Sequence, residues 1–333
     1  MSFQGPARVL VSRAVRDGVG TDLLAAANGQ PLQLLALEDI AADATQTVHA
    51  AFVSRDITGL STKHVTDTPL RDCYTVLRRS PELRWVHTHS AGADRPIYAE
   101  LRARDVVVTT SSGANAQVVA QTALAGLLAL ARRFPQLMAA QREQRWAPLQ
   151  AGPAPRDLVG QTAVIVGWGP IARTLQPLLS LLGLRVRVVR RGVEAAGPDI
   201  ETRPFTQLLQ VLPRADWLVL ACPLNAETQG LIDVAALAAL PRGAHLVNVA
   251  RGEVVVQRAL IAALQSGHLA GAFLDVFEHE PLPTDSPLWT LPGVIATPHC
   301  AGYSDSHAPG VAAIFAGNLQ RWLSGAPLLH SVA

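Results

Sequence analysis

The stretch TAVIVGWGPIARTLQPLLSLL, residues 162–182, decides the fold of this chain. Thr162–Val166 is a mostly apolar, β-branched run without polar alternation, which is typical of a strand buried on both faces of a parallel sheet. Pro170–Leu182 has the pattern of a helix. A glycine-rich turn between such a strand and such a helix is the fingerprint of a dinucleotide-binding βαβ unit.

The turn itself, GWGPIA (residues 167–172), has the residue types that a pyrophosphate site needs. Gly167 permits a tight turn, Gly169 lets the phosphates approach the backbone, and the small Ala172 lets the helix pack closely on the strand. Pro170 suits the first helical position, where its missing N–H is not required. The helix N-terminus then offers free N–H groups to an anion. The predicted phosphate loop consists of Gly167, Trp168, Gly169, Pro170 and Ile171.

The next predicted strand ends in VVRRG, at a position where a carboxylate would accept hydrogen bonds from the ribose hydroxyls of NAD. Arg190 and Arg191 stand there instead, and arginine suits the 2′-phosphate of NADP. We therefore expect NADP to be the preferred cofactor, with NAD also possible. Two exposed arginines in an arginine-rich chain are the alternative explanation.

Composition limits the classes of protein to consider. The chain has 333 residues, 49% of them hydrophobic and 16% charged, which predicts a folded protein with more than one core. Its net charge of +2 does not indicate a nucleic-acid partner, and no apolar stretch is long enough to indicate a membrane span. The three cysteines have no paired spacing, which favours a reducing, cytoplasmic location over a disulfide framework. Lys63 is the only lysine, so lysine Schiff-base chemistry would depend on it.

The two halves of the chain differ in pattern. Up to about residue 113, short predicted strands alternate with helices, which indicates an α/β layer with a parallel sheet. Residues 147–157 are rich in proline and glycine, and after them buried strands and helices alternate regularly. The expected fold class is α/β, with two Rossmann-like, doubly wound parallel-sheet domains.

Three clusters lie where predicted strands of the second half end: NVARG (248–252), DVFEHEP (275–281) and TPHCAG (297–302). The carboxyl ends of parallel strands face the ligand crevice, so these clusters should lie together. They supply an arginine, a carboxylate and a histidine. Reduction of a 2-keto acid needs a cation for the substrate carboxylate, a proton donor for the developing alkoxide, and a partner that keeps the donor protonated.

Taken in order with the glycine loop and CPLNAET (222–228), these motifs resemble the D-isomer-specific 2-hydroxyacid dehydrogenase family, which includes glyoxylate/hydroxypyruvate reductases. The resemblance covers essentially the whole chain. It implies NAD(P)H-dependent reduction of a small 2-keto acid, such as glyoxylate or hydroxypyruvate, to the D-2-hydroxy acid. It also implies that Arg251 binds the substrate carboxylate, that His299 is the acid/base, and that Glu280, just before a proline, is the partner of His299.

The resemblance carries further implications for the site and the architecture. HSAGAD (89–94) is similar to the family's substrate loop, whose backbone N–H groups at Ala91, Gly92 and Ala93 would hold the carboxylate. A cofactor domain, 114–300, would be inserted into a flavodoxin-like substrate domain, 1–113 and 301–333, and the protein would be a homodimer. The residues expected to line the cofactor are Cys222, Pro223, Thr228, Val249, Ala250, Asp275, His299 and Gly302.

Several alternatives stay open at this point. Formate or phosphite oxidation uses the same scaffold, and a nicotinamide-sensing, corepressor-like binding protein would share the fold without an enzymatic role. Glu278 competes with Glu280 as the acidic partner. His87 and His89 suggest a metal pair, but no third ligand is spaced near them, so we expect no metal.

Overall fold

The computed structural model describes residues 5–40, 47–62 and 65–332, and Lys63 lies outside these ranges. The chain forms two compact units. Unit 1 comprises Met1–Asn115 and Ser304–Ala333, and unit 2 comprises Ala116–Tyr303. Unit 2 is therefore inserted into unit 1.

Each unit is built on one sheet whose strands are all parallel. The strands of unit 1 are β1 (Ala7–Val11), β2 (Leu32–Ala36), β3 (Ala50–Val53), β4 (Trp85–Thr88) and β5 (Val107–Thr110). Those of unit 2 are β6 (Thr162–Val166), β7 (Arg185–Arg190), β8 (Glu201–Pro204), β9 (Trp217–Leu220), β10 (Ala244–Asn248), β11 (Leu269–Leu274) and β12 (Val294–Ala296).

Helices connect the strands and cover the sheets. They are α1 (Arg13–Ala26), α2 (Arg55–Thr58), α3 (Thr68–Arg79), α4 (Pro96–Arg102), α5 (Ala116–Ala131), α6 (Phe134–Arg142), α7 (Pro170–Leu181), α8 (Leu208–Val211), α9 (Val234–Ala239), α10 (Gln257–Gln265) and α11 (His307–Ser324). Short 3₁₀ helices span Leu37–Asp39, Leu149–Ala151, Phe205–Gln207, Leu212–Arg214, Gly252–Val254 and Pro287–Trp289.

The sheet of unit 2 has the order β12-β11-β10-β9-β6-β7-β8. The chain first builds β6, β7 and β8 outward in one direction, then returns to place β9 on the other side of β6. The strand order thus reverses between β6 and β9, and ligands of open α/β sheets bind at such a switch point. All five residues of β6 are buried, as the uninterrupted apolar run predicted.

The sheet of unit 1 has the order β2-β1-β3-β4-β5, the arrangement of flavodoxin-like folds. The C-terminal helix α11 belongs to this unit because its aromatic side chains pack on the sheet. Phe315 stacks on Phe52, with ring centroids 4.5 Å apart, and on Trp85 at 5.3 Å. The prediction of two parallel α/β domains, one inserted into the other, is confirmed. Among the described residues, no helix is both long and apolar enough to cross a membrane.

Candidate active site

Gly167 fixes the start of the phosphate loop at the switch point. Its φ is +102°, a conformation that favours glycine, and an added Cβ would lie 2.7 Å from the carbonyl oxygen of Ala221. The loop after β6 is therefore pressed against the backbone that follows β9. The sequence motif predicted a glycine here for a tight turn, and the structure adds this close backbone approach as a second reason.

Gly169 is different, because the protein's own packing does not require a glycine there. It is the N-cap of α7, and an added Cβ would meet no protein atom within 4 Å. Pro170 occupies the first turn of α7, and Ala172 is fully buried against the sheet. A glycine that leaves room in front of a helix N-terminus fits the close approach of a dinucleotide pyrophosphate. The residues present thus fit a nicotinamide dinucleotide.

The loop after β9, residues 222–228, is held together by its own side chains. The hydroxyl of Thr228 donates to the carbonyl of Pro223 at 2.6 Å and accepts from the N–H of Asn225 at 2.9 Å. Thr228 has no exposed surface, so its part in the site is to shape this loop. Cys222 is also buried, whereas Pro223 is exposed at the carboxyl edge of the sheet.

Arg190 and Arg191 lie at the end of β7, and each has a carboxylate partner that the sequence did not reveal. Nη2 of Arg190 lies 3.5 Å from Oε2 of Glu194, and Nε of Arg191 pairs with Glu227. Glu227 belongs to the loop after β9, 36 residues from Arg191. The two arginines therefore do not present bare positive charge.

His299 and Glu280 form the hydrogen-bonded pair expected of an acid/base and its partner. Nδ1 of His299 lies 2.7 Å from Oε2 of Glu280, and the other carboxylate oxygen accepts from the N–H of Phe277 at 3.1 Å. The other candidate, Glu278, is exposed, and its N–H donates to Gln257. The structure thus brings Glu280 to the histidine. This pairing leaves Nε2 of His299 as the ring nitrogen that faces away from the carboxylate.

Glu280 is ionised in this setting. Burial raises the pKa of its carboxyl, but the hydrogen bond and charge of His299, the N–H of Phe277 and the charge of Arg251 outweigh burial and hold the pKa below its usual value. Arg251 belongs to the loop that meets this segment, because the backbone of Gly252 lies against that of Phe277 and Glu278.

The lowered pKa of Glu280 predicts a defined dependence of stability on pH. Because the folded protein binds this proton less readily than the unfolded chain, the ionised carboxylate stabilises the fold above the ordinary glutamate pKa of 4.5. That contribution is lost as the pH falls through the lowered pKa. We expect the parent to exceed Glu280→Gln in free energy of unfolding by a constant amount near neutral pH and by a shrinking amount under acid, as denaturant titrations at several pH values would measure. A difference that is the same at every pH would contradict the assignment.

The loop of Arg251 is docked on the segment that leads to Glu280. An added Cβ on Gly252 would lie 1.8 Å from the carbonyl carbon of Phe277, so backbone meets backbone there. Asn248 folds the turn before it, because its side chain accepts from the N–H of Ala250 at 3.0 Å and donates to the carbonyl of Arg251 at 3.1 Å. The asparagine and glycine of NVARG thus position the arginine.

Asp275 holds the loop that carries His299. Its carboxylate accepts from the hydroxyl of Thr297 at 2.7 Å and from the N–H groups of Cys300 at 2.9 Å and Ala301 at 3.0 Å. Its own carbonyl accepts from the N–H of His299 at 2.8 Å. His299 has a φ of +50°, uncommon for a residue other than glycine. The contacts of Asp275 on both sides of His299 explain how this conformation is maintained.

The predicted substrate loop lies in unit 1, after β4. The hydroxyl of Ser90 donates to the carbonyl of Gly92 at 2.6 Å and shapes the turn. Within the described residues, no protein oxygen accepts from the backbone N–H groups of Ala91, Gly92 or Ala93. Three free N–H groups at the carboxyl edge of a parallel sheet suit an anion.

The two histidines before this loop, His87 and His89, are buried among protein groups. Both ring nitrogens of His87 contact hydroxyls, those of Thr109 at 2.7 Å and Ser111 at 2.9 Å. Burial and the charges of neighbouring histidines lower the pKa of His87 to about 3. Burial, aided by Arg55, does the same for His89, so both rings are neutral near pH 7. The described part of the chain contains no cluster of His, Cys, Asp or Glu that could hold a metal.

Most of the predicted site residues lie at one edge of one sheet. The phosphate loop and both arginines follow β6 and β7, and Arg251, Glu280 and His299 follow β10, β11 and β12. Val249 and Ala250 are buried beside Arg251, and Gly302 closes the His299 loop. Ala91–Ala93 belong to the other unit. Sequence reasoning missed the contacts of Glu194, Glu227, Asn248 and Gly252, although the last three stand inside motifs that it singled out.

A glycine loop on a doubly wound sheet, with an arginine and a histidine–glutamate pair at the same edge, is the arrangement of a nicotinamide-dependent oxidoreductase. The family model described as "D-isomer specific 2-hydroxyacid dehydrogenase, NAD binding domain" matches residues 124–301. The chain belongs to the D-isomer specific 2-hydroxyacid dehydrogenase family and is an NAD(P)-dependent enzyme.

Individual relatives support this family assignment. The chain is 37% identical over 253 residues to an (S)-sulfolactate dehydrogenase from Chromohalobacter salexigens, covering 74% of this chain and 80% of the relative. It is 35% identical over 251 residues to a glyoxylate reductase from Korarchaeum cryptofilum, covering 73% and 74%. A D-isomer specific 2-hydroxyacid dehydrogenase from Xanthobacter autotrophicus Py2, solved in complex with NADPH and MES, superposes with a TM-score of 0.77 at 31% identity, covering 99% of this chain and 98% of that one.

Proposed function

We propose that this protein reduces a small 2-keto acid, such as glyoxylate or hydroxypyruvate, to the D-2-hydroxy acid with NADPH as the preferred reductant. The observation that carries the proposal is the 2.7 Å pair of His299 and Glu280, with Arg251 near it, at the carboxyl edge of the sheet that bears the phosphate loop. The similarity to a glyoxylate reductase supports the substrate class. In this proposal unit 2 binds the cofactor and unit 1 supplies the substrate loop.

The proposed chemistry assigns one task to each side chain. When bound, the reduced nicotinamide supplies the hydride to the keto carbon. His299, protonated and held through Nδ1 by Glu280, gives the proton on Nε2 to the keto oxygen as its negative charge develops. Glu280 remains ionised and stabilises the imidazolium before transfer.

Two sets of hydrogen-bond donors are proposed to orient the substrate. Arg251 binds the carboxylate of the keto acid through its planar guanidinium, which matches a carboxylate better than lysine does. The N–H groups of Ala91, Gly92 and Ala93, in the substrate loop of unit 1, are the second set of donors that suit a carboxylate. Gly252 and Asn248 act as positioning residues, because they fix the backbone from which Arg251 projects.

The proposed preference for NADPH rests on Arg190 and Arg191 at the end of β7. The 2′-phosphate carries about −1.5 to −2 charges near neutral pH. A related structure, from Xanthobacter autotrophicus, contains NADPH, which supports this assignment. NADH remains a possible second reductant, since nothing at the phosphate loop itself distinguishes the two. All three cysteines are free, which agrees with the proposed cytoplasmic location.

Steady-state turnover of a panel of keto acids with both reductants tests the proposal. Unit 1 contains a cavity of about 540 Å³, lined mainly by apolar side chains of α1 and α11, so the panel should include keto acids with longer apolar side chains besides glyoxylate and hydroxypyruvate. We expect keto-acid-dependent oxidation of NADPH, and a higher kcat/KM with NADPH than with NADH. Formate-dependent or phosphite-dependent reduction of the oxidised cofactor, without keto-acid turnover, would contradict the proposal.

We also propose that the protein is a homodimer joined through unit 2. α6 and the segment after it expose large apolar side chains: Phe134 is 50% exposed, Met138 47% and Trp146 93%. Phe134 and Met138 are four residues apart and share one face of α6. A fully exposed tryptophan next to such a face is typical of an interface.

Trp146→Arg should shift the protein from dimer to monomer. Loss of a tryptophan anchor, with a charge placed in the interface, is expected to raise the dissociation constant by roughly 30-fold or more. Light scattering over a dilution series measures the change. Leu181→Arg, at an apolar residue of α7 that is 85% exposed, is the matched control and should leave the dimer intact. Equal dissociation constants for the parent and Trp146→Arg would rule out this surface.

A further inference from the structure

Four charged side chains lie together at the end of β7, two arginines and two glutamates, and their charges cancel. Arg190 has Glu194 at 3.5 Å, and Arg191 has Glu227 on its Nε. Within the described residues, Nη1 and Nη2 of Arg191 donate no hydrogen bond to another side chain. The proposed phosphate site therefore contains two cations and two anions, with part of one guanidinium still free to donate.

Both carboxylates occupy defined positions. An added Cβ on Gly192 would lie 2.1 Å from Oε2 of Glu194, so the glycine leaves the room in which this carboxylate lies beside Arg190. The N–H of Glu227 donates to Oδ1 of Asn225 at 2.9 Å, in the loop that Thr228 also fixes. The space beside Gly192 and the backbone contact of Glu227 thus allow both carboxylates to lie beside the arginines.

We propose that Glu194 and Glu227 set the cofactor ratio of this enzyme, by offsetting the charge of Arg190 and Arg191 and holding down the affinity for the 2′-phosphate while leaving NADH binding unchanged. This rests on the proposed function, in which the two arginines meet that phosphate. With the carboxylates present, the enzyme should prefer NADPH over NADH less strongly than it would with the arginine pair alone.

The expected change in affinity for the 2′-phosphate depends on how exposed the charged side chains are. The side chains of Arg191 and Glu227 are 67% and 52% exposed, so water and salt screen their charges. Removal of one carboxylate should therefore strengthen binding of the 2′-phosphate roughly two- to fivefold, the range of an exposed ion pair. NAD lacks the phosphate. Its neutral ribose hydroxyls can donate to the amide oxygen of a glutamine as they would to a carboxylate oxygen, so removal of the charge should leave NAD binding unchanged.

Glutamine substitutions remove the negative charge of each glutamate but keep the size and shape of its side chain. The amide oxygen of Glu227→Gln can still accept from Nε of Arg191, so the guanidinium keeps its contact while the negative charge is removed. Glu194→Gln does the same beside Arg190. Glu100→Gln is the matched control, because Glu100 is 48% exposed and pairs with Arg78 in unit 1.

Calorimetric binding of NADP, NAD and adenosine 2′-monophosphate to the parent and each variant tests the inference. We expect the dissociation constants of NADP and of adenosine 2′-monophosphate to fall two- to fivefold in Glu194→Gln and in Glu227→Gln. The dissociation constant of NAD should not change, Glu100→Gln should match the parent, and the gain should shrink as salt is raised.

Two results would overturn the inference, and they are distinguishable. If an Arg190→Ala/Arg191→Ala variant binds NADP as well as the parent does, the arginine assignment fails and the inference fails with it. If that variant loses NADP affinity but the glutamine variants match or fall below the parent, the arginines bind the phosphate and only the role of the glutamates is wrong.

Discussion

Replacing His299 with alanine is expected to lower kcat for keto-acid reduction by roughly 10²–10⁴-fold, the usual contribution of a positioned general acid. The side chain pairs through Nδ1 with Glu280, and the proposed proton donor is its other nitrogen. His87 and His89 are buried and neutral, with pKa values lowered to about 3. Stopped-flow measurement of NADPH oxidation in a single turnover isolates the chemical step.

The control for this prediction is His279→Ala. His279 is exposed and lies next to Glu280 in sequence, but the proposal gives it no role in the reaction. The His279→Ala variant should retain most of the parent's activity. NADP affinity of His299→Ala should stay close to that of the parent, which separates loss of the proton donor from loss of the fold. Near-normal turnover by His299→Ala would show that His299 is not the proton donor.

Replacing Arg251 with alanine should lower kcat/KM for glyoxylate by roughly 10²–10⁴-fold, because two charge-assisted hydrogen bonds to the carboxylate, each contributing about 1.5–3 kcal/mol, would be lost. Arg251→Lys keeps the charge but not the planar pair of donors, so it should also be impaired, by less. Because Arg251 also lowers the pKa of Glu280, its loss should let that pKa rise.

A substrate without a carboxylate provides the control for Arg251. Any residual turnover of a simple aldehyde should be reduced far less by Arg251→Ala than turnover of glyoxylate, since only glyoxylate offers the carboxylate. Equal losses for the two substrates would indicate that Arg251 acts on the fold or on the cofactor instead.

The sequence predicted the features that follow from topology. β6 has the predicted bounds, Thr162–Val166, because an apolar run buried on both faces allows no other placement. Arg251, Glu280 and His299 come to one edge because parallel strands end on the same side of a sheet. β8, Glu201–Pro204, was not predicted, since this polar edge strand lacks the apolar run that marks the others.

Contacts that depend on side-chain rotamers, or on backbone far away in the sequence, could not be predicted. Arg191 and Glu227 are 36 residues apart, and only the return of the chain across β6 brings them together. The sequence suggested that no carboxylate stands at the end of β7, and the structure corrects this by placing two beside the arginines. Gly252 looked like part of a motif, but its contact with the backbone of Phe277 appears only in three dimensions.

The central claim is that this chain makes D-2-hydroxy acids from 2-keto acids, and the chirality of the product tests it most directly. Hydroxypyruvate should be reduced with NADPH by the parent and by His299→Ala, and the glycerate formed should be resolved by chiral chromatography. We expect D-glycerate from the parent, in amounts equal to the NADPH consumed, and little product from His299→Ala. L-glycerate, or no glycerate while NADPH is consumed, would contradict it.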